Sequence, residues 1–272
     1  MSIFERYQAR YESSREEVLS LNEYLELCKQ DPSAYAGPGE RLLMAIGEPE
    51  LLDTRNDPRL SRIFQNKVLK RYPAFSEFYG MEEPIEHLVS YLKHAAQGLE
   101  EKKQILYLLG PVGGGKSSLA EKLKELMEKI PFYAIEGSPV FESPLGLFSP
   151  EEDGPILEDD YGIPARHLRA TMSPWAVKRL QEYNGDITQF RVVKLHPSIL
   201  EQVAIAKTEP GDENNQDISS LVGKVDIRQL ERFAQHDADA YSYSGALCRA
   251  NQGLMEFVEM FKAPIKVLHP LL

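Results

Sequence analysis

The sequence has few cysteines, no excess of positive charge and no long apolar run. Its two cysteines, Cys28 and Cys248, form no C-x-x-C motif, so neither a disulfide framework nor a cysteine metal site is indicated. With 31 Lys and Arg residues against 42 Asp and Glu residues, the net charge is −11, which argues against a general nucleic-acid binder. No apolar run approaches the roughly 20 residues that span a bilayer. We therefore expect a soluble, cytoplasmic protein with neither a nucleic-acid nor a membrane partner.

The chain is long enough for one large α/β domain with a helical arm. We predict an N-terminal helical extension and connector over residues 1–72, followed by a core over residues 73–272. From Ile3 to about Lys29, apolar residues recur at spacings of three, four and seven, which predicts an amphipathic helix. This helix either packs on its own domain or forms an arm that binds a partner, and packing is the simpler interpretation.

The connector over residues 36–71 contains turn motifs around one short apolar helix near Arg41 to Ile46. Its basic end, residues 55–71, either binds phosphate or an acidic partner or is the solvated face of a helix. Apolar residues alternate with the basic ones there, which favours the solvated face.

The core begins with the alternation expected of an α/β fold with a parallel sheet flanked by helices. The predicted elements, in order, are a helix over Glu82–Glu101, a buried strand over Gln104–Leu109, a helix from Lys116 to about Lys129 and strands over Phe132–Ile135 and Phe190–Leu195. Acidic runs at 151–153 and 158–160 match no calcium loop, so we interpret them as solvated loops.

A glycine-rich loop lies between the buried strand and the second core helix. Its residues are Gly110, Pro111, Val112, Gly113, Gly114, Gly115, Lys116, Ser117 and Ser118, and they fit the pattern G-x-x-x-x-G-K-[ST]. Glycines let successive amide hydrogens point inward, and the helix N-terminus adds positive potential, so the loop suits an oligophosphate. Lys116 is expected to reach the β- and γ-phosphates of ATP, and Ser117 to ligate Mg²⁺. A purely structural turn explains Lys116 poorly, because the helix dipole disfavours a cation in the first turn.

Three longer stretches resemble the N-terminal ATPase region of the PrkA-type bacterial serine protein kinases, which are related to AAA+ proteins. They are residues 57–88, the glycine loop at 110–118, and residues 240–272. The motifs of the ordinary protein kinase fold are absent from the sequence. The resemblance implies a P-loop, AAA+-like ATPase core. It also implies Ser/Thr kinase activity on a protein substrate and a role in stress or starvation signalling. A homo-oligomer or a complex with a signalling partner is compatible with it.

The resemblance also implies two further sets of site residues. The segment Phe78-Tyr79-Gly80 stands where AAA+ proteins help to hold adenine, although the ordinary apolar start of a helix fits it equally well. Residues 250–259 occupy the place of an apolar strand that ends in Asp-Glu. Glu259 then takes the place of the catalytic carboxylate and joins Ser117 at the Mg²⁺ site, with Glu256 as the alternative. Val258 stands where Asp is expected, and Leu254, Phe257, Val258 and Phe261 also fit one helical face.

Because 13 residues follow Glu259, we expect the chain to be a fragment that ends within the ATPase core. We expect it to bind ATP·Mg²⁺ through Lys116 and Ser117. We also expect it to hydrolyse or transfer the phosphate slowly. Two other functions remain open. One is an ATP-driven machine for protein remodelling or proteolysis, and the other is a non-catalytic scaffold whose docking depends on its nucleotide state.

Overall fold

The computed structural model describes residues 2–5, 17–168, 171–209 and 218–271. The chain divides into two compact units, which we call the first unit (residues 1–36 and 131–272) and the second unit (residues 37–130). These units are groups of residues in contact and do not test the division into 1–72 and 73–272, which stays a prediction.

The described residues form short helices and strands. The helices are α1 (Leu21–Gln30), α2 (Pro38–Ile46), α3 (Pro58–Phe64), α4 (Glu82–Ala96), α5 (Lys116–Met127), α6 (Gly154–Tyr161), α7 (Pro174–Glu182), α8 (Ser219–Val222), α9 (Ala246–Arg249) and α10 (Ile265–Leu268). The strands are β1 (Glu17–Ser20), β2 (Glu50–Asp53), β3 (Val68–Arg71), β4 (Phe132–Ile135), β5 (Arg191–Leu195), β6 (Ile205–Thr208), β7 (Lys224–Val225), β8 (Tyr241–Ser242) and β9 (Leu254–Phe257). Among them, no helix is long and apolar enough to cross a membrane.

The largest sheet of the first unit has the strand order β1-β5-β4 and is antiparallel throughout. Val193 at its centre lies opposite Val18 on one side and Ala134 on the other. The core beside this sheet contains Tyr24 and Cys28 of α1. Burial raises the pKa of the Cys28 thiol to about 12, because a thiolate loses hydration in an apolar core. The strands predicted at 132–135 and 190–195 are thus present, and they pair in the antiparallel direction.

The predicted parallel sheet occurs in the described residues only as the pair β6 and β9, in which Ile205 lies opposite Leu254. Gly253 precedes β9, and Leu254 N donates to Ala204 O at 2.9 Å. A Cβ placed on Gly253 would overlap the Ala204 carbonyl oxygen. Glycine at position 253 is therefore a steric requirement of this pairing, not a result of backbone flexibility.

The predicted helix from Ile3 to Lys29 is wrong over part of its C-terminal half. Residues 17–20 form β1, and α1 begins at Leu21. Ser20 caps α1, since its side chain accepts a hydrogen bond from Glu23 N while Glu23 bonds back to Ser20 N. This capping box marks the start of a helix. The prediction overlooked it because the apolar spacing continues through Ser20. Residues 6–16 of the prediction lie outside the described residues.

The second unit is built on α4, which packs against α2, and on α5, which also contacts α2. Leu42, Val89 and Leu126 are almost completely buried there. The hairpin of β2 and β3 lies alongside, with Leu52 opposite Leu69. The basic connector is partly neutralised, because Arg55, Lys67 and Lys70 pair with Asp53, Glu83 and Glu86 at 2.7, 3.0 and 3.0 Å. These pairs agree with a solvated basic face.

The predicted buried strand at Gln104–Leu109 is also wrong. Within residues 17–168, which are described without a gap, this segment forms no strand. Ile105, Tyr107 and Leu109 are 49%, 51% and 83% exposed. An apolar run predicts burial, but a strand forms only where neighbouring strands accept its backbone hydrogen bonds. Among the described strands, none pairs with this run.

Candidate nucleotide-binding site

The glycine loop follows the segment at residues 104–109 and leads directly into α5. Gly113 and Gly115 have φ values of +79° and +76°, which side chains rarely adopt. A Cβ on Gly114 would lie 3.1 Å from Pro111 O, and Gly114 N donates to the same oxygen at 3.2 Å. Glycine is therefore required at these positions by the backbone path of the loop.

Lys116, the first residue of α5, folds back into the loop. Its Nζ donates to the carbonyl oxygens of Gly110 and Pro111, at 2.7 Å in both cases. The ammonium group is thereby held at the entrance of the loop. An anionic ligand would meet a cation that is already in position.

The N-terminus of α5 is the other part of the candidate site. The first amide groups of a helix have no intrahelical acceptor, and the helix dipole adds positive potential there. Ser117 and Ser118 lie in this first turn, and both are exposed. Val112 at the tip of the loop is fully exposed. The role of Ser117 toward Mg²⁺ stays a prediction.

The segment before α4 lies beside the loop, within the same unit. Met81 Sδ would be 3.0 Å from a Cβ on Gly115, and Glu77 pairs with Lys122 of α5 at 2.8 Å. Tyr79, predicted to help hold a base, is 85% exposed, and Gly80 has a φ of +77°. The structure thus brings the segment containing Tyr79 and Gly80 next to the phosphate loop.

A small recess opens in this segment. Its walls include Tyr72, Phe75, Phe78, Tyr79 and Glu82, and its enclosed space is about the size of one water molecule. Oε2 of Glu82 is buried and has no hydrogen-bond partner within the described part of the chain. The sequence pattern does not single out Glu82, because an acidic residue in a first helical turn is common for electrostatic reasons alone.

The second predicted motif lies in the first unit. Residues 254–257 form the strand β9, not a helix, which agrees with the strand predicted from the resemblance. Glu259 follows in a left-handed conformation, with a φ of +49°, and its carboxylate pairs with Lys262 at 2.7 Å. Glu256 lies within β9, opposite Lys207 of β6. The role of either carboxylate toward a nucleotide stays a prediction.

The described residues contain no cluster of side chains that would form a separate metal site. No three His, Cys, Asp or Glu side chains there form a group suited to a metal ion. An Mg²⁺ ion that arrives with a nucleotide is a different case, because phosphate oxygens and water supply most of its ligands.

A glycine loop, an inward-folded lysine and a helix N-terminus together define the class of P-loop nucleotide-binding proteins. Comparison with protein families identifies one family within this class. The family model described as the PrkA AAA domain matches residues 19–272, so the chain belongs to the PrkA AAA domain family. This family implies the P-loop NTPase fold.

Curated relatives support the same assignment. The chain is 70% identical over 276 residues to the protein named serine/threonine kinase YeaG of Escherichia coli strain K12, a match that covers 100% of this chain and 43% of that protein. It is 34% identical over 262 residues to the protein named ATP-dependent protease PrkA of Bacillus subtilis, covering 92% of this chain and 39% of that protein. The chain thus spans about two-fifths of the length of these relatives. No solved structure matches it.

Proposed function

We propose that this chain is the ATP-binding module of a PrkA-type serine/threonine protein kinase that acts in bacterial stress or starvation signalling. The observation that carries the proposal is the loop at 110–118, in which two glycines have positive φ values and the lysine folds back to donate to the carbonyl oxygens of Gly110 and Pro111. Family membership and the kinase name of the Escherichia coli relative support the same function.

In this proposal, backbone amides of the loop and the N-terminus of α5 hold the phosphates. Lys116 exchanges its two carbonyl acceptors for phosphate oxygens, and Ser117 offers its hydroxyl to Mg²⁺. Tyr79 and Gly80 border the base. When bound, ATP supplies the phosphoryl group for transfer to a protein hydroxyl. Glu259 is the proposed catalytic carboxylate and a second contributor to the Mg²⁺ site, with Glu256 as the alternative.

Titration with a fluorescent ATP analogue in the presence of Mg²⁺ tests nucleotide binding. We expect Lys116→Ala to weaken binding at least tenfold, because a charge-assisted hydrogen bond contributes about 1.5–3 kcal/mol. Lys103→Ala is the matched control, since Lys103 is an exposed lysine of the same unit that pairs with Glu100 at 3.4 Å. No binding by the unmodified chain, or equal binding by both variants, would contradict the proposal.

A second function is favoured by the protease name of the Bacillus subtilis relative. In that case, the ATPase core drives protein remodelling or cleavage. Incubation of γ-labelled ATP with an unfolded test protein such as casein separates the two functions. Label on Ser or Thr supports the kinase, whereas label released only as free phosphate, together with cleavage of casein, supports the protease. The protein substrate, a signalling partner and a homo-oligomer remain parts of the proposal.

A further inference from the structure

Strand β2 is an edge strand with one open side. It pairs with β3 and with no other described strand. Just past the last strand pair, Thr54 N donates to Lys67 O at 3.1 Å. In an antiparallel ladder, residues that bond to the partner strand alternate with residues that do not. The backbone groups of Leu51 and Asp53 therefore point away from β3, toward the open side.

One face of the β2 and β3 hairpin is apolar and exposed. Residues opposite each other in an antiparallel pair share a face, and so do alternate residues along a strand. Leu51 and Val68 therefore lie on the same face, where they are 73% and 53% exposed. Leu69 on the other face is almost completely buried. The exposed face thus favours an additional strand that has apolar residues at alternate positions.

Two exposed arginines follow this edge. Arg59 and Arg62 lie three positions apart on α3, which places them on one side of the helix. The neighbouring Arg55 pairs with Asp53 at 2.7 Å, whereas neither Arg59 nor Arg62 pairs with a carboxylate within the described ranges. Helix α3 contacts the turn at residues 54–56, directly after β2. Guanidinium groups bind carboxylates through paired hydrogen bonds, so the end of this edge suits acidic side chains.

The charge distribution favours an acidic protein over a nucleic acid. Residues 54–71 hold six Lys or Arg residues and one acidic residue, Asp57, so this segment attracts acidic groups. The whole chain has a net charge of −11, which repels a long polyanion that extends beyond the segment. A nucleic acid also lacks the alternating N–H and C=O groups that would pair with the open side of β2. An extended acidic polypeptide satisfies both the charge and the backbone.

We propose that the open side of β2 binds an extended acidic segment of a partner protein, which adds a third strand to the hairpin. Backbone hydrogen bonds join this segment to Leu51 and Asp53, and its apolar side chains cover Leu51 and Val68. Carboxylates at the end of the added strand pair with Arg59 and Arg62. The inference does not depend on nucleotide binding, so a failure of the proposed function would leave it standing.

Fluorescence anisotropy with labelled peptides tests this surface. The probe is a short peptide in which valine alternates with threonine between aspartates at both ends, so that it fits either strand direction. We expect the chain to bind this acidic peptide, and more weakly as salt is added. The same peptide with lysines in place of the aspartates should bind about tenfold more weakly, because its charges repel the arginines.

Paired substitutions locate the binding surface. Arg59→Gln together with Arg62→Gln should weaken binding of the acidic peptide about tenfold through the loss of charge-assisted hydrogen bonds. Lys102→Gln together with Lys103→Gln removes two exposed cations elsewhere in the second unit and should leave the affinity unchanged. Thermal unfolding of both double variants should match that of the unmodified chain, because the substituted side chains are exposed.

Methylation of the peptide tests the backbone pairing without altering the protein. One alternate set of amides in a bound strand faces β2, and the other set faces away. N-methylation of one set should abolish binding, whereas N-methylation of the other set should preserve it.

The inference is overturned if the acidic peptide does not bind, if the two methylated peptides bind alike, or if the arginine substitutions have no effect. It is also overturned if single-stranded RNA or phosphatidylserine vesicles displace the labelled peptide at lower concentration than the unlabelled peptide does. Those results would assign the arginines to a nucleic acid or a membrane surface.

Discussion

The side chain of Lys116 is hydrogen-bonded to the glycine loop in the structure, which contains no ligand. Its ammonium group donates to two carbonyl oxygens at 2.7 Å, so a phosphate must compete with these bonds. The competition favours the ligand, because a phosphate oxygen carries negative charge and therefore attracts the ammonium group more strongly than a neutral carbonyl oxygen does. The two carbonyls thus hold the lysine in place without satisfying it as fully as a phosphate would.

Gly115 combines a left-handed backbone with a tight contact, and it provides the prediction at this scale. We expect Gly115→Ala to destabilise the chain by about 1–2 kcal/mol through its positive φ, and to weaken ATP binding because the new methyl group displaces Met81. Thermal unfolding and titration with the fluorescent ATP analogue measure the two effects.

Gly98→Ala is the control for this prediction. Gly98 has a φ of +80°, and no atom lies within 4 Å of the point where its Cβ would stand, so alanine there should cost similar stability and leave ATP binding unchanged. Equal losses of ATP binding in the two variants would show that the contact with Met81 has no part in the site.

At position 253, glycine is needed for a reason different from that at position 115. The pairing of β6 and β9 depends on it. A Cβ there would overlap the Ala204 carbonyl oxygen that accepts from Leu254 N. We therefore predict that Gly253→Ala costs about 3 kcal/mol, the upper end of overpacking effects, and exposes the β9 amides to hydrogen exchange.

Gly39→Ala is the matched substitution, because Gly39 lies in α2 and a Cβ there has only ordinary contacts, the nearest at 3.7 Å. It should be neutral or slightly stabilising, since alanine favours a helix. A fully stable Gly253→Ala variant with protected β9 amides would refute the steric explanation.

Some elements were predictable from the sequence for identifiable reasons. Helices α4 and α5 have regular apolar spacing, and β4 is a short buried run, so local pattern and structure agree. The prediction of a strand at 104–109 was wrong because a sheet forms only with strands from distant parts of the sequence, and no local pattern reveals those strands. The site divides in the same way. The loop was recognisable as a motif, whereas the places of Met81 and Glu82 emerge only from the packing of the segment before α4 beside the loop.

Across the whole chain, the proposed contacts to the base and the phosphates are confined to the second unit. We predict that saturating ATP·Mg²⁺ protects two separate segments from hydrogen–deuterium exchange, residues 78–82 and residues 110–118. Protection follows because a ligand that spans both segments suppresses their local opening. Mass spectrometry of peptic peptides measures this effect.

Two comparisons make the exchange experiment decisive. Lys116→Ala should lose protection in both segments together, because the base cannot stay bound without the phosphates. Tripolyphosphate should protect residues 110–118 alone. Protection by ATP that is limited to the loop would exclude the segment at residues 78–82 from the site.

The exposed apolar run at 104–109 has a consequence for how the chain behaves in concentrated solution. The sequence QILYLL contains no charge, no proline and no glycine, which is the composition of segments that form intermolecular cross-β structure. Its backbone, which pairs with no described strand, is a template for a strand from another molecule. Self-association through this run would appear as turbidity that grows with protein concentration, and an added charge at Leu106 would suppress it.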